Sequence, residues 1–314
     1  MNCFLGIDTS NYTTSCALAD ESGQVLLSLR KLLEVRAGER GLRQSDALFA
    51  HIKNLPVLME ELREKAPDAL VAAVGVSDRP RSIPGSYMPV FLAGVSAASA
   101  AASSLGVPLF RFSHQQGHLA AAMYGSEDVL GDRFLSFHVS GGTTELLLVR
   151  MNDGIPEAER IGGTADLNAG QAIDRAGVAR GLSFPAGAAM DELALAAGSV
   201  PERAKPSVRG LECNLSGIEN KVSAMISKGR GAEETAAYLF DFIALTLRAL
   251  TLNAREEYGE LLVLFAGGVM SSRYIRRSLS ELGKVRFARD GFSADNAAGT
   301  ALLCRRSFKS LQQD

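Results

Sequence analysis

The sequence predicts an α/β protein of two lobes, and three observations carry that prediction. Short apolar runs alternate with longer helical patterns along the whole chain. A polar-tipped hairpin near the N terminus, Cys3 to Ala19, recurs as a glycine-tipped hairpin, Phe134 to Val149. A strand, a Gly-Gly turn and a helix then follow one another from Leu261 to Leu282. With 314 residues, 46% of them apolar and 22% charged, the chain has the composition of an ordinary globular protein large enough for more than one core. The net charge of −2 includes no long basic block, so a nucleic-acid partner is neither suggested nor excluded. Cys3, Cys16, Cys213 and Cys304 form no metal spacing, which suggests free thiols in a reducing compartment. The N terminus enters a strand without a signal-peptide pattern, and Ala93 to Leu105 is too short to span a bilayer. The cytoplasm, with no membrane partner, is the expected location.

Taken in order, Cys3 to Ile7 is a strand that ends at Asp8-Thr9-Ser10-Asn11-Tyr12-Thr13-Thr14-Ser15. Such a hydroxyl-rich tip reads either as a plain loop or as a surface for a phosphate or hydrated cation. Gln24 to Leu29 is a further strand, and Ser45 to Glu64 has helical periodicity, with Pro56 expected to kink or divide it. Ala69 to Val76 reads as a buried strand, Ser77 to Pro89 as a loop with Arg79 and Arg81, and Val90 to Leu105 as a small-residue helix. Val107 to Phe112 is a strand leading to Ser113-His114-Gln115-Gln116-Gly117-His118. Ser113 and Gln116 have capping-box spacing, so a helix should start at His114. Residues i and i+4 share a helix face, which turns both imidazoles toward one spot. Two readings stand: a two-histidine metal grip, or surface histidines beside a capped turn.

In the second half, the strand Phe134 to Val139, carrying His138 and Val139, reaches Ser140-Gly141-Gly142. Without Cβ atoms, the backbone of this tip can approach an anion closely. Asp166 to Arg180 reads as a helix, and Asp174 and Asp191 bracket the loop Leu182 to Met190, which holds Gly187. Those carboxylates either grip ribose hydroxyls or are solvated. Pro201 to Leu211 reads as an exposed charged segment, and Ala232 to Tyr258 as a long amphipathic helix. After the strand Leu261 to Phe265, Gly267 and Gly268 let a flat ring or phosphate lie at the head of the helix that follows Ser271. Val285 to Ala288 is the last strand. Asp295, near the start of the final helix, is the candidate third metal ligand.

The two hairpins and the late Gly-Gly turn resemble the actin, sugar-kinase and chaperone ATPase superfamily. This implies a two-lobed, duplicated, ribonuclease H-like actin fold with a central nucleotide cleft. The first lobe would span 1–112, completed by a C-terminal helix 293–314, and the second would span 113–292 with a helical insertion. The motif order resembles the tRNA N6-threonylcarbamoyladenosine synthase family, long called glycoproteases. The resemblance rests on His114-x-x-x-His118, Val139-Ser140-Gly141-Gly142 and Ala169-Gly170-Gln171-Ala172-Ile173-Asp174. It continues through Phe184-Pro185-Ala186-Gly187, Leu215-Ser216-Gly217, Gly267-Gly268-Val269 and Asp295-Asn296.

This resemblance implies one iron or zinc ion on His114, His118 and Asp295. It implies an ATP-derived threonylcarbamoyl adenylate at His138, Val139, Ser140, Gly141, Gly142, Asp174, Gly187, Asp191, Gly267, Gly268 and Ser272. The implied reaction is threonylcarbamoyl transfer to adenine in tRNA, with a paralogous two-lobed protein as a possible partner. No catalytic acid or base is assigned. This chain departs from the family pattern at Tyr12 and Thr13 (an acidic pair), Thr143 (histidine), Gln171 (glutamate), Glu219 (lysine) and Ser272 (asparagine). The family's Gly-Pro-Gly loop is replaced by a segment with Arg79, Arg81 and Pro84-Gly85. Losing proton-transfer groups ordinarily costs roughly 10²–10⁴-fold in rate. The alternatives are therefore a carbamoyl or acyl transferase with another acceptor, and a non-catalytic nucleotide-binding paralogue. A protease has no Ser/His/Asp order or His-Glu-x-x-His helix behind it.

Overall fold

The computed structural model of the chain describes residues 1–10, 12–34, 42–198, 204–292 and 296–312. They form two compact units, one of Met1–Gly125, Arg150–Ala158 and Gly291–Asp314, the other of Ser126–Val149 and Glu159–Asp290.

In unit 1, β1 (Asn2–Ser10), β2 (Thr13–Asp20) and β3 (Val25–Leu32) form an antiparallel meander. Helix α1 (Gln44–Lys65) leads to β4 (Leu70–Arg79), α2 (Phe91–Leu105) to β5 (Leu109–Ser113), and the histidine helix α3 (His114–Met123) follows directly. The strand order is β3-β2-β1-β4-β5, with β4 parallel to both β1 and β5. Because α1 and α2 are crossover helices, their apolar faces seal one side of the sheet with Leu5, Ile7, Val74 and Val76 at its centre. Pro56 lies inside a continuous α1 and does not divide it, so its missing N–H is tolerated within the helix. The chain's last helix (Asn296–Leu311) covers the opposite face, putting Ala297, Ala298 and Ala301 against Ala17 and Ala19. It also crosses α3 so closely that a Cβ on Gly299 would stand 1.8 Å from the carbonyl oxygen of Gly117. That crossing ties α3 to unit 1, whereas the sequence reading puts it at the head of the second lobe.

Unit 2 repeats the plan. A short helix, α4 (Glu127–Leu130), precedes β6 (Arg133–Val139), β7 (Thr144–Asn152) and β8 (Ile155–Thr164). Then come α5 (Ala169–Ala179), α6 (Gly187–Ala196), the small strands β9 (Val208–Arg209) and β10 (Glu212–Cys213), α7 (Gly217–Ser227) and α8 (Ala232–Tyr258). β11 (Val263–Ala266), a 3₁₀ turn (Gly268–Ser271), α9 (Arg273–Ser280) and β12 (Val285–Phe287) close the unit. The sheet order is β12-β11-β6-β7-β8-β10-β9. Removing the β10-β9 extension leaves β8-β7-β6-β11-β12, the same order as in unit 1.

Sequence reading misses β8, because Pro156, Gly162, Gly163 and its charged residues hide the alternation of a strand. It also gives 182–190 wholly to a loop, although α6 begins at Gly187. The segment read as exposed from Pro201 holds β9, and residues 201–203 lie outside the described residues. Helix α8 is long and apolar enough to cross a bilayer by length and composition. However, 72% of its apolar window is buried, and Leu239, Phe240, Ile243, Leu247 and Leu250 pack in the core of unit 2.

Candidate functional site

Two groups of predicted residues are found, one in each unit. In unit 1 the capping box at α3 is formed: the Ser113 N–H donates to Gln116 Oε1 at 2.8 Å, and the Gln116 N–H donates to Ser113 Oγ at 3.2 Å. The helix therefore starts at His114, and the His114 and His118 rings lie 4.4 Å apart at 72°. Asp8, at the end of β1, is fully buried and stands 3.0 Å from His114 Nδ1 through Oδ1. Its Oδ2 accepts from the Ser10 hydroxyl at 2.6 Å. Burial pushes the Asp8 carboxyl up, but the pull of His114 and hydrogen bonds from His114, Ser10 and Ser77 outweigh it and hold the carboxyl below its ordinary range. An ionised Asp8 accepts the Nδ1–H of His114 and so turns the lone pair of Nε2 outward, the arrangement that orients a metal-ligating histidine. The chemistry of two of the three implied donors, His114 and His118, thus fits a divalent ion. Asp295 lies outside the described residues, and among the described residues no cluster of three His, Cys, Asp or Glu side chains forms a complete metal site.

Near Asp8, the fully buried His51 stands 2.8 Å from the Thr14 hydroxyl through Nδ1, while its Nε2 has no partner among the described residues. Burial, opposed by the Asp8 charge, lowers its pKa to about 4. At the tip of the β1–β2 hairpin Tyr12 is exposed and Thr13 half-buried.

In unit 2 the predicted residues Gly141, Asp174, Gly187, Asp191, Gly268 and Ser272 all line one cavity of about 630 Å³. They come from the β6–β7 hairpin, α5, α6 and the turn after β11, elements that the sheet order makes neighbours. The hairpin tip closes on itself: Ser140 Oγ accepts from the N–H groups of Gly142 (3.3 Å) and Thr143 (3.1 Å). The Gly170 N–H at the head of α5 donates to the Ser140 carbonyl at 3.1 Å. Gly267 has φ +99°, and a Cβ there would lie 2.3 Å from the Val139 carbonyl oxygen, so only glycine brings this turn onto β6. Val139, Ser140, Gly142 and Gly267 thus shape the hairpin and turn beside the cavity, and neither they nor His138 line it.

The two aspartates differ in what they already hold. Asp174 Oδ1 accepts from the Ala186 N–H at 2.8 Å, fixing the loop before α6. Asp191 receives the Ser272 hydroxyl (2.5 Å) and the N–H groups of Arg273 (3.0 Å) and Tyr274 (3.2 Å), so it caps α9. Ser272 in turn accepts from the Ile275 N–H at 3.1 Å. The motifs contain Ile173 and Val269 but give them no binding role, and they miss Phe240, which completes an apolar wall with them, and Arg273 and Asp290. Phe240 has no local signal, since it is one apolar residue among many on α8. An apolar wall facing glycine backbone and carboxylates suits a flat ring joined to a polyhydroxyl group.

Two of the departure positions are engaged within unit 2. Gln171 Oε1 accepts from the Asn168 N–H at 3.4 Å, and Glu219 pairs with Arg175 at 2.9 Å.

A profile of the tRNA N6-adenosine threonylcarbamoyltransferase family matches residues 36–302. A Thermus thermophilus protein named tRNA N6-adenosine threonylcarbamoyltransferase is 30% identical over 96% of this chain and 92% of its own. Among solved structures, (R)-2-hydroxyglutaryl-CoA dehydratase component A of Acidaminococcus fermentans aligns with TM-score 0.58 at 14% identity, covering 98% of this chain and 99% of that one. A ROK family glucokinase of Streptomyces griseus, in complex with glucose and AMPPNP, aligns with TM-score 0.53 at 15% identity over 97% and 99%. These two likenesses establish the two-lobed actin-like fold, and the profile and the relative together establish that the chain belongs to the tRNA N6-adenosine threonylcarbamoyltransferase family.

Proposed function

We propose that this protein transfers a threonylcarbamoyl group from its adenylate to the exocyclic amine of an adenine in tRNA. The observation that carries the proposal is family membership over residues 36–302, reinforced by six predicted residues lining a single cavity. In the reaction the amine nitrogen attacks the carbamoyl carbon and gives up one proton. The bond from that carbon to the phosphate oxygen breaks, and AMP leaves. The cavity binds the adenosine portion, with the base on Ile173, Phe240 and Val269 and the ribose beside Asp174. Asp191, occupied by α9, holds Ser272 and the Gly-Gly turn in place. An iron or zinc ion on His114, His118 and Asp295 would supply Lewis-acid polarisation of a carbamoyl or phosphate oxygen. Asp8 orients His114 for that role. A tRNA acceptor and the four buried free cysteines fit a cytoplasmic location, and a paralogous two-lobed protein remains the proposed partner.

A second reading, transfer to another acceptor, is favoured by Glu219, a paired carboxylate where the family carries lysine. One reconstitution separates the two. Wild type and His114→Ala are assayed for bound metal, then supplied with threonine, bicarbonate, ATP, unmodified tRNA and an adenylate-forming synthetase. Modified tRNA with wild type, and a loss of both metal and product with His114→Ala, is the expected result. Adenylate consumption without modified tRNA supports the second reading. A protein that neither retains metal nor binds adenine nucleotide refutes both.

A further inference from the structure

Asp174, Asp191, Glu192 and Asp290 all line the cavity of unit 2, and what each carboxylate already binds decides which can take a ligand. Asp191, a family-motif position implied to meet the adenylate, is buried and spent on the protein. Its Oδ1 accepts from the Ser272 hydroxyl at 2.5 Å and the Tyr274 N–H at 3.2 Å. Its Oδ2 accepts from the Arg273 N–H at 3.0 Å. Turning this carboxylate toward a ligand would uncap α9. Asp174 gives Oδ1 to the Ala186 N–H at 2.8 Å, which leaves its second oxygen open. Asp290 pairs through Oδ1 with Arg276 at 2.9 Å.

Glu192 differs from all three. It follows Asp191 on α6, is exposed, and lines the same cavity. Among the described residues no hydrogen bond or ion pair engages its carboxylate, so both oxygens keep their full acceptor capacity. A ribose presents two neighbouring hydroxyls, and each has one hydrogen to donate. A carboxylate with both oxygens open can accept both, the pairing by which acidic side chains recognise a ribose in other nucleotide sites. Hydroxyls that enter a cavity without finding such an acceptor lose their bonds to water uncompensated. The side chain of Glu192 is one methylene longer than that of aspartate and is tied to no neighbour, so it can turn to a ligand without disturbing a helix end.

We propose that Glu192, together with the open oxygen of Asp174, grips the ribose hydroxyls of the adenylate, while Asp191 serves only to hold α9. The inference rests on the adenosine placement given under the proposed function and adds a binding residue outside every family motif. The test compares AMP with 2′,3′-dideoxy-AMP, which carries the same base and phosphate but no ribose hydroxyls, by calorimetry on the full chain. Wild type should bind AMP the more tightly. Glu192→Ala, checked for an unchanged melting temperature, should weaken AMP about tenfold and leave the dideoxy nucleotide unchanged within about twofold. Glu192→Gln, which keeps one acceptor oxygen, should fall between wild type and Glu192→Ala. If both variants retain the wild-type preference for AMP, the hydroxyls are held elsewhere, and this inference fails while the proposed function stands. An equal loss for the two nucleotides would make Glu192 a residue that shapes the cavity without touching the ribose, and overturns the inference as well. The same holds if wild type binds the two nucleotides equally. If wild type binds neither nucleotide, the adenylate reading itself fails.

Discussion

Gly267 and His51 carry single-residue constraints of opposite kinds. At φ +99°, with β6 backbone where a side chain would go, Gly267 admits no substitution without displacing the turn that lines the unit 2 cavity. Gly267→Ala is expected to cost about 1–3 kcal/mol through backbone strain alone, more if the clash with Val139 is not relieved. Thermal melts should show the loss, and AMP affinity should fall with it. His51 instead couples stability to pH. Its folded-state value of about 4 lies below the ordinary 6.5, so between these values the unfolded chain binds the proton and the native chain does not. The stability it contributes is complete above pH 6.5 and disappears as the pH falls toward 4. The change is on the order of 3 kcal/mol for a shift of this size. Urea midpoints of wild type and His51→Gln, compared from pH 7 to pH 4, should converge over that window. Curves that stay parallel would show that His51 is not buried in its neutral form.

At the scale of elements, the cavity depends on helix ends. Helix α9 begins where Asp191, far away in sequence, takes the Arg273 and Tyr274 amides while Ser272 takes that of Ile275. Losing such a cap costs about 0.5–2 kcal/mol. Asp191→Ala and Ser272→Ala should each fall in that range in chemical denaturation. The double mutant should lose less than the sum, because the 2.5 Å bond between the two side chains is broken by either change. Full additivity would mean that the two act independently. Helix α3 is the contrasting case. Its cap is written locally as Ser113-x-x-Gln116 and was legible in the sequence. The cap of α9 was not, because Asp191 and Ser272 meet only through the packing of α6 on α9.

At the scale of the molecule, the order β3-β2-β1-β4-β5 and its counterpart β8-β7-β6-β11-β12 put β1 and β4, and β6 and β11, in the interior of each sheet, hydrogen-bonded on both edges. Hydrogen exchange should therefore be slowest in β1 and β4 of unit 1 and in β6 and β11 of unit 2. Added AMP should slow exchange in unit 2 around Gly141, from Gly170 to Glu192 and from Gly268 to Arg273. Protection elsewhere in that unit would relocate the nucleotide. By itself the sequence determined the strand–helix rhythm, the capped histidine helix and the motif order that marks the family. Those signals are local: a period, a cap or a glycine turn is written in consecutive residues. Tertiary structure alone decided that α3 belongs with the N-terminal sheet, that Asp191 is a helix cap and that Asp8 backs His114. It also decided that Phe240 walls the cavity. Each of these depends on the close packing of residues distant in the chain, which no local pattern encodes.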